Sequence, residues 1–228
     1  MPMTDLVAGD PDAAGAAPGT GRAGRGEPIA AVLGLLAGLL YNSWLLGFLM
    51  DPAALRGAYL SVLEMPGRPH AQVFVACDLT AGVMAAVTGL LLLRRPLAAG
   101  GLVMFGIGNV LEGTIPIEAS CATSVASCGT GPAQVLAPHT LATLLSVAGL
   151  VLALWSLRRH SRWMRAVILL VAVTALFLLV SVLTARWVSV SQMAFVVGCG
   201  VALGAVPLAR EAPVGAVKDP EGRALSVG

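Results

Sequence analysis

The chain has 228 residues, of which 57% are hydrophobic and only 11% are charged, and its mean hydropathy is +0.86. A soluble domain needs about a quarter of its residues charged to cover its surface, so this composition excludes an ordinary soluble protein. The net charge is only +2, and no basic patch of the kind that binds nucleic acid is present. The sequence predicts a multi-pass protein of the cell membrane, with the lipid bilayer as a partner and no nucleic-acid partner.

Six apolar runs reach the roughly 20 residues that a helix needs to cross a hydrocarbon core about 30 Å thick. They are Pro28–Met50, Ala71–Leu93, Leu97–Ile117, Pro138–Leu157, Met164–Leu183 and Trp187–Leu208. We therefore predict an all-α fold, a polytopic membrane bundle of six transmembrane helices within residues 28–209. Residues 1–27 are expected to be a disordered cytoplasmic tail and residues 210–228 a second cytoplasmic tail.

The positive charges predict the orientation of this bundle. Eleven of the 14 Lys and Arg residues lie in the two tails and in the second and fourth loops. The first, third and fifth loops hold only Arg56, Arg68 and Arg186. By the positive-inside rule both termini are cytoplasmic, which an even number of crossings requires.

Small residues recur at helical spacing in the first and last runs. Gly34, Gly38 and Asn42 share one face of the first helix, and Gly198, Gly200 and Gly204 recur in the sixth. Small side chains at this spacing let helix backbones approach closely in lipid. We expect close helix contacts at both places.

Polar side chains inside the predicted helices concentrate in one half of the membrane. Six of them, from five helices, fall in the predicted outer half, and two carboxylates lie in loops above them: Asn42, Asp78, Asn109, Glu112, His139 and Gln192, with Glu64 and Glu118. A charge at the depth of Asp78, about 10 Å below the boundary, costs a few kcal/mol in lipid. We predict that these residues share a polar pocket that opens to the extracytoplasmic side.

Several of these residues also have a purely structural explanation, including Asp78, which can pair with His139 or cap a backbone group. Asn42 and Gln192 are typical interhelical hydrogen-bond partners. Glu64 and Glu118 can be solvated loop charges, and His139 an interfacial residue at a helix start. The pocket hypothesis requires that they lie together in the fold.

The cysteines divide into two pairs. Cys121 and Cys128 lie seven positions apart in a loop predicted to face an oxidising compartment, which favours a disulfide over two free thiols. Cys77 and Cys199 lie inside predicted helices and are expected to be small buried apolar residues. Only His70 and His139 lie on the predicted outer side, and no ligand spacing supports a metal site, so none is predicted and no cofactor is named.

Several motifs resemble a bacterial membrane family known as domain of unknown function 998. The segments that carry the resemblance are Asn42–Gly47, Tyr59–Pro69, Asp78–Gly82, Phe105–Gly108 and Ile115–Glu118, followed by two cysteines and His139-Thr140. They cover roughly residues 30–160 in the family's order, although Glu112 and Glu118 stand where the family usually has Asp. The resemblance implies a membrane bundle with functional residues in the loop before the second helix, among them Ser61 and Glu64.

We therefore predict a site in which Asp78, Glu112 and His139 act as catalytic acid and base groups on a lipid or isoprenoid. The residues expected to bind this lipid-like small molecule are Asn42, Ser61, Glu64, Asn109, Glu118 and Gln192. The alternatives are a small transporter, a sensor or a subunit of a membrane complex, and a purely structural role for the polar residues. The sequence leaves the oligomeric state open.

Overall fold

A computed structural model of the chain describes residues 26–53, 55, 59–117, 137–159, 161–184 and 186–209, with the backbone of 217–218 and 224–225. The helices are α1 (Gly26–Tyr41), α2 (Gly47–Met50), α3 (Ala71–Leu91), α4 (Pro96–Thr114), α5 (Pro138–Leu157), α6 (Arg162–Thr184) and α7 (Val188–Ala205). Two 3-10 helices lie at Ser43–Leu46 and Leu60–Glu64. In the second predicted tail, β1 (Val217–Lys218) pairs antiparallel with β2 (Ala224–Leu225).

The predicted membrane bundle is confirmed. Helices α3 to α7 are each long and apolar enough to span a membrane, and α1 passes the same test together with the bent segment that follows it, which gives six spans when this bent pair is counted as one. α5 has the predicted bounds, with Pro138 in the first turn, where its missing N–H leaves no partner unsatisfied. Which end of the bundle faces the cytoplasm stays a prediction.

The long helices form a ring. Around it α1 packs on α3, α3 on α4, α4 on α5, α6 on α7 and α7 on α1, and the contact between α5 and α6 is slight. α6 is the least buried of the spans, as expected for a helix that carries almost no polar side chains and lies at the outside. Leu102, Leu150 and Leu203 are almost completely buried inside the ring.

The chain enters and leaves the described bundle at the same end. Arg95 follows α3, and its guanidinium donates a hydrogen bond to the carbonyl oxygen of Ala209, beyond α7. The same guanidinium lies 3.9 Å from the carboxylate of Glu27, at the start of α1. Six crossings require this arrangement, and we call this end, which also carries Arg158 and Arg162, the arginine end.

The first span is bent by 41° instead of forming the single helix expected over Pro28–Met50. The side-chain amide of Asn42 donates a hydrogen bond to the carbonyl oxygen of Gly38 at 2.9 Å. This carbonyl would accept the backbone N–H of residue 42 in a continuous α-helix. That N–H instead bonds Leu39 O at 3.1 Å, so the chain tightens into the 3-10 helix at Ser43–Leu46, an example of a short polar side chain competing with the helix backbone.

The close helix contacts expected at the small residues of the first and last spans are present, and the structure adds that these two spans contact each other. Gly34 packs against the backbone of Leu203, and Gly38 against the backbone of Gly200, where a Cβ on either glycine would overlap the carbonyl oxygen of the other helix. The Asn42 amide also lies against Gly200. α1 and α7 are therefore held at backbone contact along the face that the spacing of small residues indicated.

We expect Asn42→Ala to destabilise the bundle, because it removes the bonds to Gly38 O and to the indole N–H of Trp44, which lies 3.3 Å from Asn42 Oδ1. A typical intramolecular hydrogen bond contributes about 0.5–1.5 kcal/mol to stability. Thermal unfolding of the detergent-solubilised protein measures the change, with the lipid-exposed Leu39→Ala as the control. An Asn42→Ala protein that melts with the wild type would contradict the role of this side chain at the bend.

Candidate functional site

A cavity lies at the end of the bundle opposite the arginine end, beneath the 3-10 helix Leu60–Glu64. It leaves about 80 Å³ for the centres of water-sized molecules, well above the roughly 10–15 Å³ that one water requires. All six spans contribute to the lining, whose polar members are Tyr41, Ser43, Ser61, Glu64, Asp78, Glu112, Thr143 and Gln192. Of the described residues predicted to form a pocket, Glu64, Asp78, Glu112 and Gln192 line this cavity.

His139 and Ser61 form a hydrogen-bonded pair at this cavity. Nδ1 of His139, the second residue of α5, lies 2.7 Å from the carbonyl oxygen of Ile115, just beyond α4. Since a carbonyl oxygen only accepts hydrogen bonds, Nδ1 carries the proton, and Nε2 of the neutral ring is the acceptor. The Ser61 hydroxyl lies 3.2 Å from Nε2 and donates to it when the ring is neutral. Both side chains are buried, with 9% of Ser61 and 8% of His139 exposed.

Glu112 lies beside the same imidazole. Its Oε1 is 3.7 Å from Nε2 of His139 and accepts a hydrogen bond of 2.8 Å from the Thr143 hydroxyl. Thr143 lies one turn after His139 on α5, so both side chains project from the same face of this helix. One helix therefore positions His139 and the hydroxyl group that orients the Glu112 carboxylate. Glu112 is positioned to stabilise an imidazolium on His139 when the ring gains a proton.

Glu64 and Asp78 form a second pair across the cavity. Both carboxyl groups line the cavity. Burial raises the pKa of Glu64 to about 7; the neighbouring Asp78 carboxyl opposes this shift, and the charge of Glu112 adds to it. Near neutral pH Glu64 is therefore present in both its protonated and its ionised form.

This shift predicts a pH dependence of stability. In the unfolded chain Glu64 ionises near 4.5, and in the folded protein near 7, so between these values the folded state binds more protons and the free energy of unfolding falls as pH rises. Asp78 of α3 and Glu112 of α4 are the titratable groups that face Glu64. We expect Glu64→Gln to flatten the dependence of the melting temperature over this interval, whereas Glu27→Gln at the arginine end should keep it. Parallel curves for Glu64→Gln and wild type would contradict this assignment.

The remaining predicted site residues have different places. Gln192 lines the cavity and accepts the backbone N–H of Leu60 at 2.9 Å, which fixes the 3-10 helix that carries Ser61. The Asn109 amide donates to the backbone oxygen of Asp78 at 2.6 Å and so joins α3 to α4 behind the cavity. Asn42 does not line the cavity and lies at the contact of α1 with α7. Glu118 lies outside the described residues, as do Cys121 and Cys128 with their predicted disulfide.

Sequence reasoning missed three features of the site. Ser61, which was expected to bind substrate, also lies 3.2 Å from Nε2 of His139, 78 positions away, a contact that no sequence pattern indicated. Thr143, which orients Glu112, had a signal in its spacing of four residues from His139. Tyr41, at the end of α1, lines the cavity and packs edge-on against Phe105, with ring centroids 5.3 Å apart.

The other two cysteines, Cys77 and Cys199, lie within the described residues. Cys199 is buried as expected, while Cys77 is partly exposed, and both are free thiols. Within the part of the chain that the structure describes, no three His, Cys, Asp or Glu side chains are arranged to hold a metal ion.

Comparisons with known proteins found no relative of this chain. No protein-family model matches the chain, and neither a curated protein nor a solved structure matches it.

Proposed function

We propose that this protein is a membrane-embedded serine hydrolase or acyltransferase that cleaves an ester bond of a lipid. The observation that carries the proposal is the Ser61 hydroxyl at 3.2 Å from Nε2 of His139, whose other nitrogen is held by the Ile115 carbonyl oxygen at 2.7 Å. A nucleophile bonded to a base, with the base oriented by a third group, is the arrangement that activates serine in enzymes. The acid and base chemistry expected of Glu112 and His139 is retained, with Ser61 added as the nucleophile.

In the proposed reaction the Ser61 oxygen attacks the ester carbonyl carbon while His139 Nε2 takes the hydroxyl proton. Glu112 then stabilises the imidazolium, since its Oε1 lies beside the nitrogen that has gained the proton. Collapse of the tetrahedral intermediate breaks the bond to the alcohol, which leaves with the proton from His139. A water or an acceptor alcohol next gives its proton to His139 and attacks the acyl-serine, releasing the acid or a new ester and restoring Ser61.

The surroundings favour a lipid as the substrate. The cavity walls include large apolar side chains, among them Leu63, Phe74 and Phe195, and a few convergent polar groups in an apolar wall are typical of small-molecule sites. Glu64, when protonated, can donate a hydrogen bond to the carbonyl oxygen of the substrate. The helices around the cavity place it within the membrane, where esters of lipids are the abundant carbonyl compounds.

The position of the cavity at one end of the bundle, above a filled interior, argues against a transport pathway. Beneath the cavity the interior is filled by Leu102, Phe105 and Leu150, each almost completely buried. A conduit would need polar groups to continue through this layer. The transporter hypothesis is therefore the less favoured of the two.

The proposal also includes the membrane orientation and the family that the sequence predicted. With Arg94, Arg95 and the arginines near residue 160 on the cytoplasmic side, the cavity opens to the extracytoplasmic side. The order of the motifs from Asn42 to His139 supports membership of the family known as domain of unknown function 998.

The test is labelling of the purified protein by a fluorescent fluorophosphonate, which forms a covalent bond with activated serines. We expect the label on Ser61, no label on Ser61→Ala, and full labelling of Ser156→Ala, a matched change at the arginine end. Peptide mass spectrometry locates the modified residue. A folded wild-type protein that takes no label, or a label on another serine, would overturn the proposal.

A further inference from the structure

A groove on the outer flank of α3 offers much more space than the cavity at Ser61. It leaves about 790 Å³ for the centres of water-sized molecules, against about 80 Å³ in the cavity at Ser61. Its mouth is polar, with Arg68, His70 and Gln72, and its wall is apolar, with Val73, Ala76 and Leu79. We call it the α3 groove.

The α3 groove continues along the helix toward the middle of the membrane. A second hollow of about 390 Å³ shares Gln72, Val73 and Ala76 with it and extends to Thr80 and to Leu40 of α1. From Ala71 to Thr80 the helix rises about 14 Å, close to half of a hydrocarbon core about 30 Å thick. The length and the apolar wall match the part of an acyl chain that lies in one leaflet.

The mouth has the groups that bind a phosphate. The Arg68 side chain is 28% exposed, and its guanidinium lies 3.6 Å from the carboxylate of Asp51, which holds the arginine in place through one of its several donors. His70 is exposed and directly precedes α3 in a left-handed conformation with φ of 60°. Arginine is the side chain best suited to bind a phosphate through more than one hydrogen bond.

One residue joins the groove to the cavity. Glu64 lines both spaces, and no other residue among those described for the two linings is shared. Phe74 and Asp78 line the cavity from one side of α3, while Gln72, Ala76 and Leu79 line the groove from the other. In the 3-10 helix Leu60–Glu64, Ser61 lies one turn before Glu64. The proposed nucleophile is therefore one turn away from the residue that borders both spaces.

The cavity alone is too small for a lipid, because sites for drug-sized ligands measure about 300–1,000 Å³. Resting on the function proposed above, we propose that the α3 groove binds a phospholipid, with its phosphate at Arg68 and His70 and an acyl chain along Val73, Ala76 and Leu79. Glu64 is the movable partition past which the ester bond reaches Ser61. The substrate class is accordingly a phospholipid that enters sideways from the bilayer.

The test uses a phosphatidylglycerol with a photoactivatable acyl chain, bound to Ser61→Ala protein in nanodiscs so that no turnover is needed. We expect crosslinks on residues 72–80 of α3. Adding Ala76→Trp fills the groove and should lower crosslinking roughly tenfold, the effect of about 1.4 kcal/mol in binding free energy. Val83→Trp, a change at a lipid-exposed position of the same helix outside the groove, should leave it unchanged.

Competition separates the phosphate from the chain. Excess unlabelled phosphatidylglycerol should suppress the crosslinks, whereas diacylglycerol, which has no phosphate, should not. Crosslinks spread evenly around the bundle, equal crosslinking of Ala76→Trp and Val83→Trp proteins of equal melting temperature, or equal competition by the two lipids would each overturn the inference. Crosslinks in the groove without fluorophosphonate labelling of Ser61 in the wild type would support the lipid site and reject the hydrolase.

Discussion

Replacing His139 with Gln is expected to lower the rate at which Ser61 reacts with a fluorophosphonate by about 10²- to 10⁴-fold, the contribution of a positioned general base. Glutamine keeps a polar side chain beside Ile115 O and Ser61 Oγ, but it cannot take the serine proton at neutral pH. The hydroxyl therefore stays protonated when the phosphorus is attacked. The rate is measured by stopping the reaction at a series of times and quantifying the labelled band.

Glu112→Gln is the graded comparison for this experiment. Its oxygen lies 3.7 Å from His139 Nε2 and stabilises the imidazolium without touching the serine, so its loss should reduce the rate less than the loss of the base itself. Melting temperatures of both variants show whether the bundle is intact. A folded His139→Gln protein that labels at the wild-type rate would show that Ser61 is not activated by this histidine.

Replacing Gly101 with Leu is expected to prevent normal packing of the bundle. A Cβ at Gly101 would lie 2.5 Å from Gly149 O and 2.6 Å from the backbone nitrogen of Ala153, so α4 and α5 must separate before any larger side chain fits. Overpacking a core typically costs about 1–3 kcal/mol and sometimes more, and here the obstacle is backbone. We expect a strongly reduced yield of monodisperse protein, or a much lower melting temperature in detergent.

The adjacent glycine gives a matched control. A Cβ at Gly100 would have no neighbour within 4 Å, and leucine favours a helix over glycine by somewhat less than about 1 kcal/mol, so Gly100→Leu should be neutral or mildly stabilising. The two proteins have the same composition. Equal melting temperatures would mean that α4 and α5 are not held at this distance in the folded protein.

Hydropathy predicted the spans well, because each long helix has to present an apolar surface to lipid over its whole length. It could not predict the bend of the first span, since the apolar run continues through Asn42 without interruption. The bend depends on one amide that takes the Gly38 carbonyl oxygen. A hydropathy average over about twenty residues does not register a single side chain.

Part of the site was also predicted, because a polar residue inside an apolar run is conspicuous in the sequence. Asp78 and Glu112 were identified because a carboxylate within an apolar run has to face protein or water, and both line the cavity. Glu64 and Ser61 lie in a connecting segment, where polar residues are ordinary. Their inward position depends on the bond from Leu60 N–H to Gln192, 132 positions away, which no local pattern indicates.

The bend after Tyr41 also bears on the membrane around the protein. Beyond it the short segment Ser43–Met50 leans by 41° from α1 and exposes Leu45, Leu46, Phe48 and Leu49. Because of the bend, these four apolar side chains come from a segment that does not follow the axis of α1, so the first span meets the lipid along two directions instead of one.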